Sequence, residues 1–573
     1  MSDVIVAGVP YSSVPSVRLP KQGGGFAIYS EGGAPAPTPT PWVRPSEWPD
    51  LGSLTLEDGE LYITYDTNNS AANCIAALYV VSTGGYDWVR GHVVDGEFVP
   101  SGDSVHQNTK TYLRDLLPED ETGYIVYKVT GTITQWYFSN YLDLISTADT
   151  NWYVQPALEV RGKLPALTTL AGGSASSMVT SFTESWEMQG AFKPASMASA
   201  FSHGYNLRRI AAPGLDTSNT TSFASTFINC LSLESIDIPV MPTSKCTTVA
   251  SMFANCYSLL DVDVTGWDTS KCTTFATMFQ NCMCLRSLDL SPLDTSSSTT
   301  LASMFTTCNR LESIDMTGWD TGNVTTMASM FQNCSMLKSV DMHGWDVTKV
   351  TTMASMFQGC TALESVDISG LTIGTALTTT ASMFNTCHSL QTVDVSSLRT
   401  PNVTTMASMF NACWALKSVN LTNIKATKCT TVASMFSTCY LLETVDVSKL
   451  GISSLCENTS NMFSSCYRLR ECPDMTAWNL SGIATLANGQ TMFRYCYSLF
   501  EVTVPATLAY ISNLWWGGNA VMGDVHMLST TPPSIGATPF GSNAGVNVYV
   551  PASAVNAYKS AWTALAARIF AEP

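Results

Sequence analysis

The chain has 573 residues and a formal net charge of −17, long enough for several domains and a large buried core. Only 13% of its residues are charged, about half the usual share of a soluble domain. With a pI near 4.7 it carries no electrostatic footprint for nucleic acid or for an anionic membrane face, and no run of about 18 apolar residues predicts a membrane span.

Residues 1–33 read as a small β unit. Val4-Ile-Val-Ala-Gly-Val-Pro-Tyr11, Val14-Pro-Ser-Val-Arg-Leu-Pro-Lys21 and Gly23-Gly-Gly-Phe-Ala-Ile-Tyr29 are short β runs broken by Pro and Gly. A piece this small cannot bury its own core and needs a partner. Its Val-Pro-x-Val-x-Leu-Pro-Lys stretch leading into a triple glycine resembles the N-terminal segment of tailed-phage virion proteins, which implies docking to other virion proteins on a particle. The first ten residues lack a basic n-region, a sustained apolar run and a small-residue cleavage site, so no Sec signal is expected. Residues 34–41, Ala-Pro-Ala-Pro-Thr-Pro-Thr-Pro, form a proline-rich linker, extended and semi-rigid.

Over residues 42–160, alternating runs such as Leu61–Tyr65, Ala76–Val81, Tyr124–Val129 and Thr134–Phe138 predict a β-sandwich-like domain, with Asp58-Gly59 and Asp95-Gly96 as hairpin turns. Its Tyr and Trp residues are read as core rather than as a sugar site. Residues 161–200 are a transition and N-terminal cap. Ala200-Phe-Ser-His-Gly204 has the outline of a degenerate first repeat, with Gly204 lying 26 residues before Cys230.

From 201 to 500 one phrase returns, as in Thr351-Thr-Met-Ala-Ser-Met-Phe-Gln-Gly-Cys360 followed by Leu363-Glu-Ser-Val-Asp-Ile368. Its cysteines are Cys230, Cys256, Cys282, Cys308, Cys334, Cys360, Cys387, Cys413, Cys439, Cys466 and Cys496; five steps of 26 residues are followed by steps of 27, 26, 26, 27 and 30. This period predicts an α/β repeat, a leucine-rich-repeat-like solenoid whose coils each hold a strand and a short helix, preceded by an all-β N-terminal region. In Leu363-x-x-Val366-x-Ile368 the first, fourth and sixth positions face inward and the fifth faces solvent. Met, Met and Phe at helical spacing supply the other side of the core. Equivalent cysteines on successive coils point the same way, so their Cβ atoms do not close to disulfide distance and they are read as buried free thiols, assembled in a reducing cytoplasm. Cys246, Cys272 and Cys429 stand where other repeats have Val324, Val350 and Val403, in keeping with that reading.

The repeats resemble the BspA-like leucine-rich repeats of bacterial surface proteins, whose units read Met-Phe-x-x-Cys-x-x-Leu-x-x-Leu-Asp-Leu-Ser-x-Trp-Asp-Thr-Ser-x-Val; Thr317-Gly-Trp-Asp-Thr-Gly-Asn-Val324 is nearly that phrase. The resemblance implies adhesion and protein contact rather than catalysis. Units lengthen at Gly370 and after Cys466, where coils are expected to bulge or lose register.

The solvent-facing fifth position forms a row of candidate receptor-contact residues: Asp237, Asp263, Asp289, Asp315, Asp341, Asp367, Asp394, Asn420 and Asp446. Like charges one coil apart repel by roughly 0.8 kcal/mol in water. Flanking hydroxyls with solvent, a basic partner or cations would each offset this, although one carboxylate per coil is no metal cage. Trp267, Trp319 and Trp345 alternate with Leu293, Leu371, Leu398 and Leu450, the mark of a core position.

Residues 501–573 are read as a C-terminal capping module with a closing helix, N-capped by Ser553 and presenting Val555, Tyr558, Trp562, Leu565 and Ile569 as one stripe. The six histidines show no metal-ligand spacing, and no catalytic motif occurs. The sequence therefore leads to a non-enzymatic phage tail fibre, spike or similar appendage, without cofactor or metal. Its N-terminal segment would hold the virion and its solenoid would meet a protein or glycan of the host surface. A bacterial cell-surface adhesin is the alternative, and a polysaccharide depolymerase spike a weaker one. No coiled-coil heptads support the trimer familiar among tail fibres.

Overall fold

The computed structural model describes residues 5–6, 9–10, 45–66, 74–108, 110–116, 124–137, 153–154, 157–165, 169–171, 184–238, 244–483, 491–511, 523–536, 540 and 545–573, and structural statements here concern those residues. By internal contacts the chain divides into Met1–Pro41 and Trp42–Pro573. In the first unit the described residues form one antiparallel pair, Ile5–Val6 with Val9–Pro10. The remainder of residues 1–33, read from the sequence as a particle-attachment segment, and residues 34–44, which include the proline linker, lie outside the described residues.

The second unit opens with an antiparallel sheet. Strand Glu60–Asp66 lies between Ala157–Lys163 and Tyr124–Tyr137, and Cys74–Val94 and Glu97–Pro100 follow outward. Asp95 (φ 51°) and Gly96 (φ 82°) make the two-residue hairpin between the last two strands. Asp58-Gly59 instead forms a turn with no hairpin, its Gly59 N–H donating to the Lys163 carbonyl at 2.8 Å on the adjacent strand, which lies about a hundred residues along the chain. Where the sequence suggests a sandwich, these strands form one sheet. Leu61, Ile63, Tyr65 and Tyr127 on one face join the main core, while Tyr62 and Val126 on the other pack on Leu51, Leu54 and Leu56.

That sheet continues into the repeats. Ala157–Lys163, antiparallel to Glu60–Asp66 on one side, pairs in parallel with Ser185–Gln189 on the other, and Arg209–Ala211 and Ser235–Asp237 follow in parallel. Buried Arg161 fastens the join: it donates to the carbonyls of Leu51 and Leu54, and its Nε lies 3.2 Å from Glu187 on the first coil.

Most coils contribute a strand of about three residues, such as Ser313–Asp315, whose register is one repeat from its neighbour, Asp289 opposite Asp315. On the other side of the coil the expected short helix is absent. Met330 N–H closes a turn on Met327 and Cys334 N–H one on Phe331, while Ser329 (φ 56°) and Asn333 (φ 61°), both left-handed, turn their N–H groups to Ala354 and Gln358 of the next coil. The same pair of left-handed positions recurs in neighbouring coils, for example Ser303 with Thr307 and Ser408 with Ala412. Two left-handed residues four apart interrupt any helix. They also convert half of the amides to bonds between coils, so this side is held like a sheet.

Phenylalanines from Phe201 to Phe493 stack one per coil through the centre, with neighbouring ring centroids 5.3–5.8 Å apart and planes within 12°. Trp186 meets Phe201 edge-on at 4.9 Å and closes the column.

Parallel pairing continues beyond Cys496. Glu501 pairs with Asp524 and Asp524 with Asn547, a step of 23 residues, and Asn547–Val550 then pairs with Ile569–Ala571. The C-terminal region is thus a run of shorter coils whose Val502, Val504, Val525, Met527, Val548 and Val550 extend the same core. The closing helix spans only Val555–Ala561. Ala554, with no side-chain cap, stands at its N-terminus rather than Ser553, and the stripe is divided among this helix, the 3-10 turn Thr563–Arg568 and the strand that begins at Ile569. Tyr558 and Trp562 are buried, with Oη on Ser529 O and Nε1 on Pro533 O, each at 3.0 Å.

Candidate functional site

The structure places the whole predicted contact row, from Asp237 to Asp446, exposed on the strand side. From Asp263 on, each side-chain Oδ1 accepts the backbone N–H two residues ahead: Thr265 on Asp263, Thr317 on Asp315, His343 on Asp341, Ser369 on Asp367, Ser448 on Asp446, at 2.8–2.9 Å. Asn420 does the same for Thr422 at 3.2 Å, which is why an amide can stand in the row. These are Asx turns that carry the chain out of each strand. Asp474, exposed and bonded to Thr476 N–H at 3.0 Å, extends the row by one coil; the longer unit after Cys466 hides it in the sequence. The hydroxyls of Thr265, Thr317, Ser369, Ser396, Ser448 and Thr476, with the backbone N–H groups adding, hold Asp263, Asp315, Asp367, Asp394, Asp446 and Asp474 below the ordinary carboxylate range. At these six positions local hydrogen bonds outweigh the repulsion between neighbours, so these carboxylates are ionised at neutral pH.

The other ladders are internal. Trp267, Trp319, Trp345 and also Trp478 are buried; Trp319 Nε1 donates to Leu290 O at 2.9 Å. The thiols from Cys230 to Cys496 are free. Each repeat cysteine donates its Sγ–H to the carbonyl of a phenylalanine on the preceding coil at 3.0–3.2 Å, as Cys334 does to Phe305. Burial pushes Cys230, Cys360, Cys413 and Cys496 up to about 12. Cys246, Cys272 and Cys429 are buried in the valine row.

A further row, half-buried in its middle coils and exposed at Trp414, Tyr467 and Tyr497, follows the repeat cysteine. The residue just after it is Asn309, Ser335 and Thr361 in the middle coils, then His388, Trp414, Tyr440, Tyr467 and Tyr497. Those five rings stack in sequence, with centroid separations of 3.5, 6.0, 4.7 and 5.2 Å. Among the described residues no group of three or more His, Cys, Asp or Glu is placed to hold a metal ion, and no helix is long and apolar enough to cross a membrane.

Short parallel strands in most coils, inward Leu and aliphatic rows and a period near 26 residues define a solenoid of the leucine-rich-repeat type. The chain belongs to the family described as "Mycoplasma protein of unknown function, DUF285", whose model matches residues 177–287, 259–371 and 378–501, more than half of its length. Solved structures similar to it include a leucine-rich repeat protein from Bacteroides ovatus, 14% identical over 73% of this chain and 97% of that one, with a TM-score of 0.33. A leucine rich cell surface protein from Faecalibacterium prausnitzii is 16% identical over 72% and 94%, TM-score 0.29. The pneumococcal vaccine antigen PcpA is 12% identical over 77% and 94%, TM-score 0.30. No curated protein matches the chain.

Proposed function

We propose that the protein is an adhesion body that presents its solenoid to a cell-surface receptor and acts by binding rather than by catalysis. The observation that carries this reading is the exposed Asp row, which repeats one carboxylate per coil at fixed register on a stack with a single continuous core. A rigid row of this kind suits a partner that is itself extended or repetitive, with basic groups facing the carboxylates. Residues 1–33 support placement on a tailed-phage particle, in a tail fibre or spike, through their sequence resemblance. A bacterial cell-surface adhesin is the second reading, and the family description favours it because it names mycoplasmas, which are cells. Mass spectrometry for peptides of residues 201–500 separates the two. The virion reading expects them in purified phage particles and the adhesin reading in the cell envelope fraction; recovery confined to the cytosol contradicts both.

A further inference from the structure

We propose that the aromatic row at the end of the 26-residue coils is a subsite for an acidic polysaccharide. The proposal rests on the surface-adhesion reading and names a ligand class for a face separate from the Asp row.

Four observations meet there. Trp414, Tyr467 and Tyr497 are 43%, 38% and 48% exposed although aromatic, and Phe500 beside them is 61% exposed; large exposed apolar groups gathered in one place mark contact surfaces. Their backbone is held in register by bonds between coils, such as Ala415 N–H to His388 O at 3.1 Å and Leu441 N–H to Trp414 O at 3.3 Å, so the row is rigid before any ligand arrives. From Trp414 to Tyr497 the rings advance by 4.7–6.0 Å, close to the length of one hexopyranose in an extended chain. An extended peptide instead repeats its same-face side chains every 6.6–6.8 Å, roughly. The stacked rings expose their edges, with tyrosine hydroxyls and an indole N–H to bond sugar hydroxyls.

Charge supplies the fourth observation. Residues 231–386 hold six Lys and Arg against fourteen Asp and Glu, net −8, whereas residues 413–500 hold seven against five, net +2. Arg468 and Arg470 follow the exposed Tyr467 and are themselves exposed. The Arg468 guanidinium lies a loose 3.9 Å from the Glu443 carboxylate, and Arg494 lies 4.5 Å from the centre of the Tyr495 ring. Guanidinium groups close along the chain to the aromatic row, in an otherwise acidic protein, select a polymer that combines pyranose rings with carboxylates, since Arg binds carboxylates bidentately.

Titrating the full-length protein with polygalacturonate, and with dextran as the neutral control, tests this. Polygalacturonate is expected to bind, more weakly as salt is raised, and dextran is not. Trp414→Ser combined with Tyr467→Ser is expected to weaken binding by about ten-fold or more. Because the row already carries Asn309, Ser335 and Thr361, that variant keeps its fold, which an unchanged melting temperature checks. Equal affinity of the folded double variant, or dextran bound as tightly as polygalacturonate, overturns the subsite. Cell adsorption by the two proteins tells the failures apart: adsorption undiminished in the variant overturns the subsite and leaves the adhesion reading standing, and adsorption by neither overturns both.

Discussion

Two residues in each coil set its shape, and both are left-handed. Ser, Asn and Gly tolerate that conformation, whereas a β-branched residue there is strained. Thr307 (φ 64°) stands between Asn281 and Asn333 in the adjoining coils, and Asn281 already bonds Asn255 at 2.6 Å. Thr307→Asn is expected to relieve the strain and extend the asparagine ladder, raising stability by about 1 kcal/mol in denaturant unfolding; a loss would contradict the assignment. The Asp row predicts an acid limit. The carboxylates of Asp263, Asp315, Asp367, Asp394, Asp446 and Asp474 titrate below their unfolded values, so their stabilising effect is complete above roughly pH 5 and is lost as pH falls through the depressed values. Unfolding midpoints should fall steeply below about pH 4, less steeply when Asp315 and Asp367 are replaced by Asn; parallel profiles would show that the row carries no such linkage. The buried thiols should resist alkylation at neutral pH until the chain is unfolded, and rapid labelling of Cys360 or Cys413 in folded protein would contradict their placement.

At the level of the coil, the strand face was legible because period two within Leu-x-x-Val-x-Ile and period 26 between coils agree on what is buried. The Trp and Leu row was legible through its exchange of one apolar residue for the other. The opposite side misled because Met327, Met330 and Phe331 have helical spacing, and only the recurring Ser and Asn signal left-handed turns. Trp319 sits where other coils hold Leu, while Leu363 sits where leucine recurs from coil to coil. Trp319→Leu should therefore cost up to about 2 kcal/mol and Leu363→Ala about 3 kcal/mol, read from urea unfolding. An equal or larger loss for Trp319 would mean that the row does more than pack.

Across the whole molecule, the Asp263–Asp446 row was readable one residue per repeat, whereas Asp474, the aromatic row and the C-terminal coils were not. Asp474 and the C-terminal coils depend on register beyond Cys466, where the unit length changes to 30 and then 23 residues, and the aromatic row is masked because Asn309, Ser335 and Thr361 hold the same position in earlier coils. The join between the first sheet and the stack was also hidden, since it turns on which side of Ala157–Lys163 takes a parallel partner. What emerges is a stack with one core, acidic along its first coils and aromatic and slightly basic along its last. The most direct measurement of the proposed adhesive role is competition. Excess purified full-length protein, added to host cells first, should reduce later attachment of the particle or cell that carries it in a dose-dependent, saturable way. Attachment unaffected at saturating protein would contradict the account.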